Sequence, residues 1–317
     1  MNVSLFGEDR SELEVKTVVA PKNWSRNQIL LLDLNGFIDA SGEKSKLVML
    51  KDRLDKAEEM SRIKGAILRI NSPGGSVTGS AVIHHELLEF KKRMSKKNGG
   101  SFPLYVLMED VAASGGVYAA MAADKIYALP TTTTGSIGVI ATWPKWKRMA
   151  DKVGLDMHII KSADKKDMGS PWRDLTEEEQ NIFQNLIDGM YMQFVDVVLH
   201  SREKHGLTRD ALLSFADGRV FLADEAVERK LIDGVQYLPA VIEAMRKSIG
   251  DEEASVISLE YEGNFRGNVY ASAGVPRTTQ LPVQNQRGDV NLLKIDSSAL
   301  GIRERQAHFL YIWMPGQ

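Results

Sequence analysis

Four short apolar runs divide the first half of the chain: ILLLDL (29–34), GAILRI (65–70), LYVLM (104–108) and KIYAL (125–129). Each is apolar at nearly every position rather than at alternate ones, which is the mark of a strand buried on both faces. Between the first two lies a segment (43–63) whose Leu47, Leu50, Leu54, Ala57 and Met60 recur at spacings of three and four, as on an amphipathic helix. Further helices are expected from about Ala81 to Met94 and, in small residues, up to Ala123. Strands alternating with helices dictate a parallel sheet with right-handed crossovers, an α/β fold. Sites in such sheets form at the carboxyl ends of strands. Two glycine-rich turns fall there, NSPGGS (71–76) and DVAASGG (110–116).

The second half is less regular. WPKWKRMADKVG (143–154) reads as a short helix, LDMHII (155–160) as a strand and KSADKKDMGSPWRDL (161–175) as a polar loop. Thr176 and Glu179 form a capping box that opens a long helix. Phe183, Leu186, Met190, Phe194 and Val197 should share one face of it, and it should end near Gly206. Three short helical pieces follow, up to Ser248. The domain division is then a polar N-terminal arm (1–28), a principal domain (29–250) and a C-terminal extension (251–317). Residues 263–289, rich in Gly, Pro, Asn and Gln, read as a linker or long surface loop. The last segment, from Val290, regains apolar character.

Composition narrows the function. With no cysteine, thiol nucleophiles, thiolate metal sites and disulfides are excluded. A net charge of −2 gives no reason to expect nucleic acid as a partner. No run reaches the roughly 18–20 apolar residues that span a bilayer, and the N-terminus is too polar for a signal peptide. The chain is expected in the cytoplasm, or as a soluble piece of an anchored protein. No cofactor and no metal are expected.

Ser114 is the one candidate nucleophile on a strand-to-helix turn. The amide of Gly115 points into the same space, Gly115 and Gly116 let a peptide approach without a Cβ clash, and the SPGG turn offers further donors for an oxyanion. On residues alone, AASGG reads first as close helix packing. A base is needed for the serine proton. His84, His85, His158, His200, His205 and His308 lie where a histidine caps, packs or faces solvent, and none sits in a glycine-flanked loop after TGSIGVI. A lysine serves only when neutral. Lys165 and Lys166 in SADKKDMGS are the candidates, against the plain reading of a solvated charge run.

Taken together, LRINSPGGSVTGS (68–80), VAASGGVYAAMAADKIYALPTTTTGSIGVI (111–140), KSADKKDMGSPWRDLTEEE (161–179) and DGRVFLADEAVERKLIDGV (217–235) resemble, in order, the signal peptide peptidase A family of Ser-Lys peptidases. The resemblance covers roughly residues 29–248 and implies Clp-protease/crotonase-like parallel sheet layers flanked by helices. It implies Ser114 as nucleophile, Lys166 as general base, Ser136 as the hydroxyl that orients the lysine, and Gly115, Gly74 and Gly75 as the oxyanion region. An acyl-enzyme would form on Ser114. The implied substrates are hydrophobic peptides such as cleaved signal peptides. The implied assembly is a homo-oligomer of short, single-module chains that can share the dyad between protomers. Anchored relatives sit at the bacterial inner membrane through an N-terminal segment that this sequence lacks. Two other readings use the same fold: a crotonase-like acyl-CoA enzyme without a nucleophile, and a non-catalytic assembly protein.

Overall fold

The computed structural model describes residues 13–21, 23–42, 45–261 and 308–312. The expected 263–289 linker lies outside them. The elements run β1 (Leu13–Val19), β2 (Gln28–Asn35), α1 (Lys46–Glu59), β3 (Ile63–Ser72), β4 (Gly74–Ser76), α2 (Val77–Asn98), β5 (Leu104–Ala113), α3 (Gly115–Ala120) and β6 (Lys125–Ala128). They continue with β7 (Thr133–Gly135), β8 (Ile140–Thr142), α4 (Lys147–Val153), α5 (Glu177–Arg202), α6 (Arg209–Leu213) and β9 (Val220–Leu222). The last are α7 (Ala223–Glu228), β10 (Gly234–Val235), α8 (Leu238–Ile249), β11 (Ser255–Tyr261) and β12 (His308–Ile312).

Among the described residues the main sheet has the order β1-β11-β2-β3-β5-β6-β10, with β7 beside β5 and β9 beside β7. From β11 to β10 every neighbour is parallel, as strand–helix alternation requires. Successive side chains of each strand enter opposite layers. Leu30, Leu32 and Leu34 of β2, Leu68 and Ile70 of β3, and Val106 and Met108 of β5 pack on the layer of α1, α2, α3 and α5. Ile29, Leu31, Ile67, Tyr105 and Leu107 face the other way, onto Leu238, Val241, Ile242 and Met245 of α8. Both faces are therefore covered, which is why these runs carry so few polar residues.

Several expectations shift. Part of the polar N-terminal stretch is strand β1, paired antiparallel with β11, and β11 lies between β1 and β2. The sheet thus takes strands from either side of residues 29–250. Helix α2 starts at Val77 rather than Ala81, because the Ser76 hydroxyl accepts from the Gly79 amide at 3.0 Å and caps it there. Strand β5 runs five residues past LYVLM, since Val111, Ala112 and Ala113 pair with β7. LDMHII forms no strand: residues 155–160 are exposed and pair with no strand among the described residues. The capping box on α5 is present, but Leu186 is exposed and the inward face is Phe183, Phe194, Val195 and Val198. Among the described residues, no helix is long and apolar enough to cross a membrane.

A second, smaller sheet has the order β4-β12-β8 and is antiparallel throughout. It sits over the glycine turns.

Candidate active site

Strand β5 ends by handing the chain to α3 through Ser114, which holds φ 53° and ψ −112°. A non-glycine residue there costs about 1–3 kcal/mol, so the surroundings must hold it. Two contacts do so. The Ser114 amide donates to the Gly135 carbonyl at 2.8 Å, and its own carbonyl accepts from the Tyr118 amide at 2.9 Å. The side chain is buried at 1% exposure, yet its Oγ has no hydrogen-bond partner among the described residues. An unsatisfied buried hydroxyl on a strained turn is destabilising by itself, which is the pattern of a position kept for chemistry.

The glycines crowd around this serine. A Cβ on Gly115 would stand 2.3 Å from Ser80 Oγ and 3.2 Å from the Gly75 nitrogen. One on Gly74 (φ 103°) would stand 2.8 Å from the Gly115 nitrogen, and one on Gly75 would stand 2.0 Å from the Ile38 carbonyl oxygen. No larger residue fits at any of the three. The Gly74 amide is already donated to Ser72 Oγ at 3.1 Å, and the Ser72 hydroxyl donates onward to the Gly36 carbonyl at 2.6 Å. The turn is thereby fixed with the Gly75 and Gly115 nitrogens close together.

Ser136 follows the residue that accepts from Ser114. It too has positive φ, 52°, and its amide donates to the Arg219 carbonyl at 2.7 Å. It borders an open cavity of about 520 Å³ with Ile140, Asp188, Tyr191, Asp217 and Ile312 among its walls. Gly74, Gly75, Ser114, Gly115 and Ser136 are thus brought into one neighbourhood.

Lys166 is not brought there. It is exposed, on a short 3₁₀ turn (Asp164–Asp167) whose neighbours are held by ion pairs. Asp167 accepts from Arg173 (2.8 and 2.9 Å) and from Lys161 (2.8 Å). Arg173 also reaches Glu179 at 2.6 and 2.8 Å, and Glu179 closes the capping box with Thr176. These partners hold the Asp167 carboxyl well below the usual carboxylate range and that of Glu179 down at about 2, the Arg173 hydrogen bonds being the main cause in both. Lys165 pairs with Glu178. Of the two lysines of KKD, Lys166 is therefore the one with no ion pair among the described residues. Residues on the same excursion expose large apolar side chains: Met149, Val153, Leu155, Met157 and, at 89%, Ile160.

Histidine is poorly placed for the base. His84 packs edge-on against Tyr118 at 5.4 Å, and burial, with His85 and His200 adding repulsion, holds it down at about 4. Sequence reasoning overlooked the aromatic group around Tyr118: Tyr311 stacks on it at 5.3 Å, and Phe194 lies 4.7 Å from Tyr311. The only hint was the apolar HFLYIW near the end of the chain.

Residues 96–250 match the profile of peptidase family S49. A protein of Enterococcus faecium that bears the name of signal peptide peptidase SppA is 33% identical over 250 residues, covering 77% of this chain and 69% of its own. The chain belongs to family S49. Other S49 relatives include a Synechocystis sp. protein named as a protease, 37% identical over 212 residues (67% of this chain, 71% of the relative). The chloroplastic serine protease SPPA of Arabidopsis thaliana is 30% identical over 244 residues, 73% of this chain and 34% of that one. This S49 chain is accordingly a serine peptidase, and the acyl-CoA and non-catalytic readings fall away.

Proposed function

We propose that the protein hydrolyses apolar peptides through a Ser-Lys dyad, with Ser114 as nucleophile and Lys166, supplied by a neighbouring protomer, as general base. The observation that carries this reading is the mismatch between the two residues. The Ser114 hydroxyl is buried with no described residue placed to take its proton, while Lys166 stands in solvent on a braced loop. A lysine ammonium cannot act as base; it must first lose a proton to solvent, and burial against another chain would favour that by desolvating the charge. Met149, Val153, Leu155, Met157, Ile159 and Ile160, all large, apolar and exposed, support the same assembly, because burial against another chain would remove them from water.

In the assembled site neutral Lys166 takes the Ser114 proton and the oxygen attacks the peptide carbonyl. The Gly115 and Gly75 amides face the developing oxyanion, and Gly74 lets the chain approach. The Ser136 hydroxyl orients the lysine. The protonated lysine then gives its proton to the leaving amine. Water hydrolyses the acyl-enzyme by the reverse path. Substrates of the signal-peptide-remnant class fit the apolar part of the cavity wall, which includes Ile137, Ile140 and Ile312. Mixing Ser114→Ala chains with Lys166→Ala chains, each inactive alone, should restore cleavage of an apolar peptide amide as mixed assemblies form. No recovery from mixtures shown to co-assemble would place the lysine in the same chain. Lys165→Ala should stay active.

A further inference from the structure

Strand β5 changes partners shortly before it reaches Ser114. From Tyr105 to Met108 it runs beside β6, and from Val111 to Ala113 beside β7. Its register against β3 slips at the same place. Ile70 stands opposite Met108 and Ser72 opposite Ala112, so Glu109, Asp110 and Val111 share the single residue Asn71. This is a bulge, which bends a strand and re-aims the residues beyond it.

A bulge leaves backbone groups without ladder partners, and buried ones must be satisfied in another way. Here the threonine run PTTTTG (130–135) supplies the donors. Thr132 and Thr134 are both fully buried, at 0% exposure. The Thr132 hydroxyl donates to the Glu109 carbonyl at 2.5 Å and is shared with the Met108 carbonyl at 3.0 Å. The Thr134 hydroxyl donates to the Ala112 carbonyl at 2.7 Å. One hydroxyl thus grips β5 where the bulge begins and the other just beyond it. From the opposite side, Asn71 Oδ1 accepts from the Val111 amide at 3.3 Å. The next residue after Thr134 is Gly135, whose carbonyl accepts from the Ser114 amide, and Ser136 follows. A single short segment therefore fixes the bulge, grips the Ser114 turn and carries the hydroxyl assigned to the lysine.

We propose that Thr132 and Thr134 are positioning residues of the peptidase site: their hydroxyls hold the β5 bulge, and the bulge sets the direction of Ser114 against Ser136. The proposal rests on the peptidase reading above and deepens it. Both hydroxyls are engaged by β5 carbonyls rather than by the reacting atoms, so they act through the backbone. A displacement of about 1 Å at a reacting group can cost on the order of 10²-fold in rate. Valine has nearly the shape of threonine but no hydroxyl, so it separates the hydrogen bond from the packing.

Two measurements test this. In the full, assembled chain, Thr132→Val should lower kcat for an apolar peptide amide, and the rate at which a fluorophosphonate labels Ser114, by about ten- to a hundredfold, with KM changed by less than about twofold. Thr132→Ser, which keeps the hydroxyl, should stay near the wild-type rates. Thr134→Val should act in the same direction, and it carries the test if Thr132→Val does not fold. Wild-type rates in a folded valine variant, or an equal loss in Thr132→Ser, would overturn the assignment. The second measurement needs no catalysis. Amide hydrogen exchange across residues 109–116 should quicken in the valine variant and stay unchanged across α8. Exchange unaltered at 109–116, or raised equally in α8, would sink the brace. A wild-type chain that the phosphonate never labels, with exchange as expected, would sink the peptidase chemistry and leave the bulge braced by its threonines.

Discussion

Ser114 spends stability for reactivity. Its φ of 53° and its hydroxyl, unpartnered among the described residues, both disfavour the fold, so Ser114→Ala should abolish cleavage while leaving the unfolding midpoint unchanged or slightly higher. A large loss of stability would mean that the hydroxyl is structural. His84 sets a pH dependence. Its folded value, about 4, lies below that of an unfolded histidine near 6.5, so between these values the unfolded chain binds the extra proton. Its contribution is complete above pH 6.5 and is lost as the pH falls toward 4. Denaturant melts between pH 7 and 4 should show the decline, and His84→Gln should flatten it. At this scale the sequence disclosed which turns come together. Ser114, the glycines and Ser136 converge because each sits in a turn whose residue types tolerate few alternatives. The Tyr118–Phe194–Tyr311 group was hidden because its members lie 76 and 117 positions apart in sequence, counted from Tyr118 to Phe194 and from Phe194 to Tyr311, and no local pattern joins them.

At the scale of elements, the loop from Lys161 to Glu179 carries Lys166, so under the proposed dyad its placement would decide activity. It is braced by Arg173, which bridges Asp167 and Glu179, and by the Pro171 carbonyl, which accepts from the Trp146 and Lys147 amides. Both carboxyls are held below their unfolded values near 4, so the bridges persist above that pH and are lost only as it falls toward 2. Limited proteolysis across 161–179 should therefore find the loop protected from pH 7 to about 4. Arg173→Ala should make it cleavable at pH 7 and lower kcat more than it raises KM, with little change in global stability. Cleavage kinetics and a melt on the same sample check this. Element types were legible wherever burial was two-sided or a cap was explicit, as at β2, β3 and Thr176. LDMHII misled because its alternation suits a strand, while no neighbouring edge among the described residues receives it. Short strands such as β7 and β9 exist through their partners and leave little local trace.

On the scale of the whole molecule, the sheet is built from both ends of the sequence. Strand β1 covers the free edge of β11 along its length. Deleting residues 1–21 would leave that edge bare, so the shortened chain should aggregate at a lower temperature than the full one, as light scattering during a thermal ramp would show. Equal onset temperatures would mean that β1 has no protective role. Polar composition concealed this strand, since an edge strand exposed on one side need not be apolar.

The place of β11 between β1 and β2 has a consequence for synthesis. Its parallel partner β2 ends at Asn35, whereas β11 is complete only at Tyr261. At bacterial or eukaryotic elongation rates, roughly 10–45 s pass between the two. For that time a nascent chain carries the apolar strand ILLLDL with one border unpaired. Helpers that shield extended apolar segments at the ribosome would matter more for this protein than its final, well-covered sheet suggests.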